Sequence, residues 1–117
     1  ESEVPTSILI TESWGFIVVF CVSNLYILSV NGKVLKKFEN FPSFNQWFTF
    51  KSADDFDYIA LFNDNECTMT YFEVMYPDKK KEVNFDGKIM TMRYEAKFNC
   101  FIFLADNGKI TLIPAEI

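Results

Sequence analysis

Histidine is absent from this sequence. Its absence removes the commonest general base, the Ser-His and Cys-His nucleophile pairs and most zinc sites. Glycine and proline are scarce, at four each in 117 residues, which excludes collagen-like and low-complexity chains. No glycine-rich phosphate loop and no G-x-S-x-G elbow is present, so neither nucleotide chemistry nor a serine hydrolase is expected. Cys21, Cys67 and Cys100 are odd in number and show no C-x-x-C spacing. A disulfide framework and a thiolate metal site are therefore not expected, and a reducing compartment fits best. Long apolar runs are missing too. The longest uninterrupted stretch here, 16–22, has seven residues, whereas a membrane-spanning helix needs about 20. Basic residues are in the minority, 11 Lys+Arg against 16 Asp+Glu for a net charge of −5. A nucleic-acid partner, which calls for a basic face, is not expected.

What the sequence has is apolar and aromatic. Half of its residues are hydrophobic and 18% are aromatic, with 14 phenylalanines, ample material for a packed core. This material recurs. The segments Trp14–Val30, Phe56–Phe72 and Phe98–Pro114 align without a gap, each 42 residues after the last. Each opens on an aromatic, continues through an apolar run, crosses a polar turn and enters a second run. Upstream, Trp47-Phe48-Thr49-Phe50-Lys51 precedes Ile89-Met90-Thr91-Met92-Arg93 by the same 42 residues. A four-stranded propeller blade takes about 40–45 residues. The runs are short and rich in β-branched and aromatic residues, which favours strands over a helical repeat.

The predicted fold is all-β: a partial, WD40-like β-propeller of about two and three-quarter antiparallel blades, at about 4–41, 44–85 and 87–117. Strands are predicted at 7–11, 16–22, 25–30 and 34–39, at 46–51, 58–63, 67–74 and 81–85, and at 88–94, 100–105 and 109–113. The third blade lacks its outer strand. The run at 16–22 does not alternate apolar with polar. A strand of that kind needs cover on both faces, which flanking blades provide. Asn31-Gly32 and Asp106-Asn107-Gly108 are hairpin turns by composition, and a further turn is predicted at Ser23-Asn24. Asp64 and Asp106 are expected to brace the hairpins between second and third strands. Trp14, Phe56 and Phe98 are expected as repeated core between blades, and Trp47 as a buried anchor.

The segments Gly15-Phe-Ile-Val-Val19 and Leu25-Tyr-Ile-Leu-Ser-Val-Asn-Gly-Lys-Val-Leu35 form one motif. Trp47 with Asp55-Phe-Asp-Tyr-Ile-Ala60 and Tyr71-Phe-Glu73 forms a second, and Asp106-Asn-Gly-Lys-Ile-Thr-Leu-Ile-Pro114 a third. Together, from about Ile8 to Pro114, these resemble the C-terminal WD40 repeats of BEACH-domain proteins. The chain departs from the WD pattern in lacking its Gly-His and Trp-Asp pairs. Val30-Asn31, Phe72-Glu73 and Pro114-Ala115 stand at the Trp-Asp positions. The resemblance implies a large cytoplasmic scaffold, peripheral to endomembranes and active in vesicle traffic, whose remaining blades complete the ring.

The expected function is a non-catalytic protein–protein interaction scaffold, with no enzymatic activity, cofactor or metal. Partners are expected to be other proteins bound through rim loops or blade faces. Candidate contacts are Asp54, Asp55, Lys79 and Lys80, within the rim loops 12–13, 39–44, 52–57, 76–80 and 95–97. The carboxylates Asp54, Asp55, Asp57, Asp64 and Glu66 are read as solvated turns, because a calcium loop needs a glycine that is absent here. Two rivals predict different architectures. One is a free-standing β-sandwich that binds a partner. The other is a fragment of an enzymatic propeller, which would need polar side chains from several innermost strands.

Overall fold

A computed structural model describes residues 4–39 and 44–117. Eleven strands and one short 3-10 turn at Pro77–Lys79 make up its regular structure. The first sheet runs β1 (Pro5–Ile10), β2 (Ile17–Cys21), β3 (Leu25–Leu28) and β4 (Val34–Phe38) in order. The second runs β5 (Gln46–Lys51), β6 (Asp57–Asn63), β7 (Thr68–Glu73) and β8 (Lys81–Asn84). The third holds β9 (Ile89–Glu95), β10 (Cys100–Ala105) and β11 (Ile110–Pro114). Every pairing is antiparallel and joins strands that follow one another in sequence.

The three meanders are stacked, and two cores hold the stack. The first joins Leu9, Val18, Phe20, Leu25 and Ile27 of sheet one to Ile59, Leu61, Phe72 and Val74 on the middle sheet's side. The second joins Phe50, Ala60, Phe62, Met69 and Tyr71 to Ile89, Met92, Phe101 and Phe103 of sheet three. Alternation along β6 therefore serves both neighbours. Ile59 and Leu61 face one way, Ala60 and Phe62 the other, and all four are buried. A two-sheet sandwich has no sheet covered on both faces. The architecture is a partial β-propeller of three blades, and the sandwich alternative is set aside. The smallest dimension of the molecule is 19 Å, the length of a typical strand of about 17–20 Å, as a disc sector one strand thick requires.

The 42-residue period survives only in the second strands. Phe20, Phe62 and Leu104 are repeat equivalents, yet they pair with Leu25, Met69 and Ile110. The hairpin lengths differ, and the third strands absorb the difference. The first strands slip further. Phe48 lies opposite Ala60, whereas the matching Ile102 lies opposite Arg93. The alignment of Trp47–Lys51 with Ile89–Arg93 is therefore not structural. It is off by three residues, and an odd slip turns a strand's side chains to the opposite face. Thr49 lies opposite Ile59, on the side of sheet one, whereas Thr91 lies opposite Leu104, on the side away from sheet two.

Two hairpins share one backbone solution. In the β3–β4 turn the Ser29 carbonyl accepts from Gly32 N, and Ser29 N donates to Lys33 O. In the β10–β11 turn Ala105, Gly108 and Lys109 repeat the pattern. Gly32 and Gly108 take φ of 87° and 86°, the left-handed corner of a G1 bulge. Asn31 and Asn107 place side-chain oxygens on the N–H of Lys33 and Lys109. The turn expected at Ser23-Asn24 sits one residue earlier, with Cys21 N donating to Asn24 O.

Candidate functional site: an aromatic cleft between blades one and two

The loop from Thr11 to Phe16 connects β1 to β2. Thr11 closes it through its backbone N–H to Phe16 O and through its hydroxyl, which accepts from Phe16 N, both at 2.9 Å. At its tip the N–H groups of Ser13 and Trp14 donate to the two carboxylate oxygens of Asp57, at 2.9 and 2.8 Å. The Trp14 indole N–H donates to the Asp55 carbonyl at 3.1 Å. Asp57 opens β6 and is buried. One carboxylate of the middle blade thus clamps the rim loop of the first.

The neighbouring loop, Ser52–Phe56, copies the hairpin geometry described above. Ser52 O accepts from Asp55 N, and Ser52 N donates to Phe56 O. Asp55 occupies the corner held by glycine in the other two, at φ 65°, which Asp tolerates better than most residues.

These two loops and the segment after β7 enclose a cleft of about 210 Å³, lined by Trp14, Phe16, Phe56, Asp57, Glu73, Val74, Met75 and Tyr76. Trp14 and Phe16 lie in parallel planes with centroids 6.4 Å apart. Tyr76 carries Lys36 and Lys79 over its ring at 5.0 and 5.5 Å, and Lys36 Nζ donates to the Met75 carbonyl at 2.6 Å. Burial pushes the Glu73 carboxyl above its usual range, and the nearby Lys79 charge partly offsets it. The cleft is an apolar slot with fixed aromatic walls, carboxylates at its base and cations at one side.

The expected repeat core is corrected here. Trp14, Phe56 and Phe98 are 62%, 44% and 71% exposed. All three stand in the turns that lead into second strands, not within strands, so they reach a rim and not an inter-blade core. Two of them line the cleft; Phe98 stands apart from it, with Lys97 over its ring. Trp47 is corrected likewise. It is 37% exposed, and its indole N–H crosses to the Ser7 hydroxyl of blade one at 3.1 Å. It borders a depression of about 440 Å³ with Thr6, Ser7, Cys21, Val22, Phe44 and Asn45. Most of the predicted contact loop at 39–44 lies outside the described residues.

The brace expected of Asp64 and Asp106 comes from other groups. In the β6–β7 turn the Asn63 carboxamide accepts from Asn65 N and Glu66 N. Asp64 contributes its own N–H, donated to Asn45 Oδ1 at 2.7 Å, and its buried Oδ1 has no hydrogen-bond partner among the described residues. Asp106 likewise contributes its N–H, donated to Lys88 O. Asn can accept at the turn while its own N–H₂ stays available. Among the candidate contacts, Asp55 and Lys79 flank the cleft, while Asp54 and Lys80 are exposed and stand apart from its lining. The expectation that Asp57 is a solvated rim carboxylate is corrected: it is buried and accepts from two backbone amides. An acidic cluster gives no sign of which member faces a neighbouring loop.

No protein-family model matches the chain, and no curated protein matches it. Among solved structures, the chain is similar to a selenomethionine-substituted virginiamycin B lyase from Staphylococcus aureus, with 12% identity and a TM-score of 0.48. That similarity covers 97% of this chain but 42% of the lyase. Among the described residues, no helix is long and apolar enough to cross a membrane.

Proposed function

We propose that this chain is a non-catalytic protein-binding module, which takes an apolar side chain of a partner protein into the cleft between its first two blades. The observation that carries this reading is Trp14, a large ring that is mostly exposed yet held by hydrogen bonds to Asp57 and Asp55. A rigid aromatic surface loses little freedom on binding, and exposed Trp and Tyr are the residues that most often anchor interfaces. Size favours the same reading. At about 210 Å³ the cleft falls below the roughly 300–1,000 Å³ of small-molecule sites, and it suits a single side chain better than a substrate. The resemblance to BEACH-type repeats supplies a setting, a large trafficking scaffold in which such a module docks other proteins.

Selection of a displayed random-peptide library on the purified chain tests this proposal. The expected result is a family of peptides sharing one large apolar residue, whose binding is lost on Trp14→Ala and kept on Phe98→Ala. Peptides that bind Trp14→Ala as well as the unaltered chain would overturn it.

A further inference from the structure

The two walls of the cleft differ in charge. The loops that carry Trp14 and Phe56, with Asp57 at the head of β6, supply Glu12, Asp54, Asp55 and Asp57 and no basic residue. Lys51, next in sequence, is already paired with Asp55 at 3.9 Å. At the Tyr76 end the sign reverses. Lys36 and Lys79 bring two ammonium groups to 5.0 and 5.5 Å from the Tyr76 ring, and Lys36 is fixed there by its bond to the Met75 carbonyl. Glu73 is the carboxyl that faces them, and burial disfavours its charge. Beyond it Lys81 is matched by Glu116 at 3.8 Å, and Asp78 stands in sequence beside Lys79 and Lys80.

The rings divide in the same way. Lysines lie over Tyr26, Phe38, Tyr76 and Phe98, all within 5.9 Å of the ring centre. Among the described residues none lies over Trp14 or Phe56, although both are exposed and line the cleft. Tryptophan is the ring that attracts a cation most strongly, and Trp14 is held in place by Asp57 and Asp55. A fixed indole face beside carboxylates and bare of lysine is a seat for a cation. Arginine suits it best, because a flat guanidinium stacks on an aromatic ring and still reaches a carboxylate. The same cation at the Tyr76 end would meet Lys36 and Lys79, whereas a carboxylate there would gain both.

We infer that the partner segment is bipolar, with a basic residue on the Trp14 side of its apolar anchor and an acidic residue on the Tyr76 side. This inference rests on the reading of the cleft as a seat for an apolar side chain, and it adds the direction in which the segment lies. The apolar anchor alone leaves two orientations across the rim open. Charge selects one of them, since a reversed segment sets like charges together at both ends, and such juxtaposition is what rejects a wrong pose.

The test starts from displayed peptides whose binding to the intact purified chain is lost on Trp14→Ala. They should carry Lys or Arg on one side of the apolar residue and Asp or Glu on the other, in one order throughout. In synthetic copies, replacing either charged residue with Gln should weaken binding by about threefold or more. Glu12→Gln combined with Asp54→Asn should remove most of the effect of the basic residue and leave that of the acidic residue. Lys79→Gln combined with Lys80→Gln should do the reverse. These four positions are exposed, and the peptide substitutions, made against the unaltered chain, give the answer even where a protein variant fails to fold. Trp14-dependent peptides without this charge order, or indifferent to loss of their charges, would overturn the inference and leave the reading of the cleft intact. Peptides indifferent to Trp14→Ala would overturn both.

Discussion

Asp57, the first residue of the middle blade's second strand, accepts hydrogen bonds from the backbone N–H groups of Trp14 and Ser13 in the first blade, at 2.8 and 2.9 Å. The repeat does not copy this clamp. Its equivalents are Gly15 and Asn99, and Asn99 turns inward on its own blade, accepting from the Tyr94 hydroxyl and donating to the Ala115 carbonyl. Bonds from N–H to a carboxylate are stronger than neutral ones. Asp57→Ala should cost about 1–3 kcal/mol, because two amides lose their acceptors at a partly covered site. Asp57→Asn keeps one acceptor and should cost less. Urea midpoints at a fixed protein concentration check the order, and equal midpoints for the two variants would count against the clamp.

Gly32 and Gly108 hold the left-handed corner of their hairpins with open space where a Cβ would stand. The penalty of a side chain there is conformational and not steric. Gly32→Ala and Gly108→Ala should each destabilise by about 1 kcal/mol, and Gly108→Asn by less. Asp55 holds the same corner at φ 65°, so Asp55→Gly should be tolerated while Asp55→Val is not. Thermal midpoints of the set give the ranking directly.

Phe62 is fully buried and meets the rings of Phe48, Phe85 and Phe103 at 5.3, 5.9 and 6.1 Å. Phe103 belongs to the next blade, so this side chain ties two sheets together. Phe62→Ala should cost about 3–5 kcal/mol, a large share of the roughly 5–15 kcal/mol of an ordinary domain. Phe98→Ala, on the rim, should stay within about 0.5 kcal/mol. Comparable losses for the two would mean that the rim aromatic is core after all.

The blades were legible because second strands carry the densest apolar pattern, and burial on both faces leaves them no freedom to drift. The Gly-containing hairpins were legible for a local reason: only glycine is comfortable at that backbone angle. First and third strands were harder to align. Turn lengths differ between blades, and the shared threonine of 49 and 91 hides a slip that reverses the face. The site was half legible. Asp55 and Lys79 stand out by their place in rim loops, and both flank the cleft. Spacing singles out Trp14 and Phe56 but points them inward, whereas both are exposed on the rim. Periodic recurrence marks any structurally equivalent position, a turn as well as a core. Asp57 is not legible, because its partners are backbone amides, which carry no sequence signature.

Alkaline pH should weaken the junction between blades two and three. Burial is the first cause that raises Tyr58, Tyr71 and Tyr94 above a tyrosine's usual value, about 10 in a free chain. Tyr71 also accepts from Glu116 N at 3.0 Å, which opposes the rise, while the Glu116 charge adds to it. Tyr94 packs at a tilt against Phe50 and Phe101, and Tyr58 stacks on Phe50, so the three phenols surround one core. The folded state keeps them neutral where the unfolded chain would begin to ionise. Above about 10 the unfolded chain therefore binds fewer protons than the folded one, and stability falls as pH rises. The contribution is complete below that value and is lost as pH climbs through the raised folded values. Urea midpoints should stay level towards that point and then drop. Tyr58→Phe, which removes an ionisable group without emptying its site, should make the drop shallower. Phenolate absorbance followed alongside circular dichroism should show ionisation and unfolding together; phenolate that forms well before unfolding would contradict the raised values.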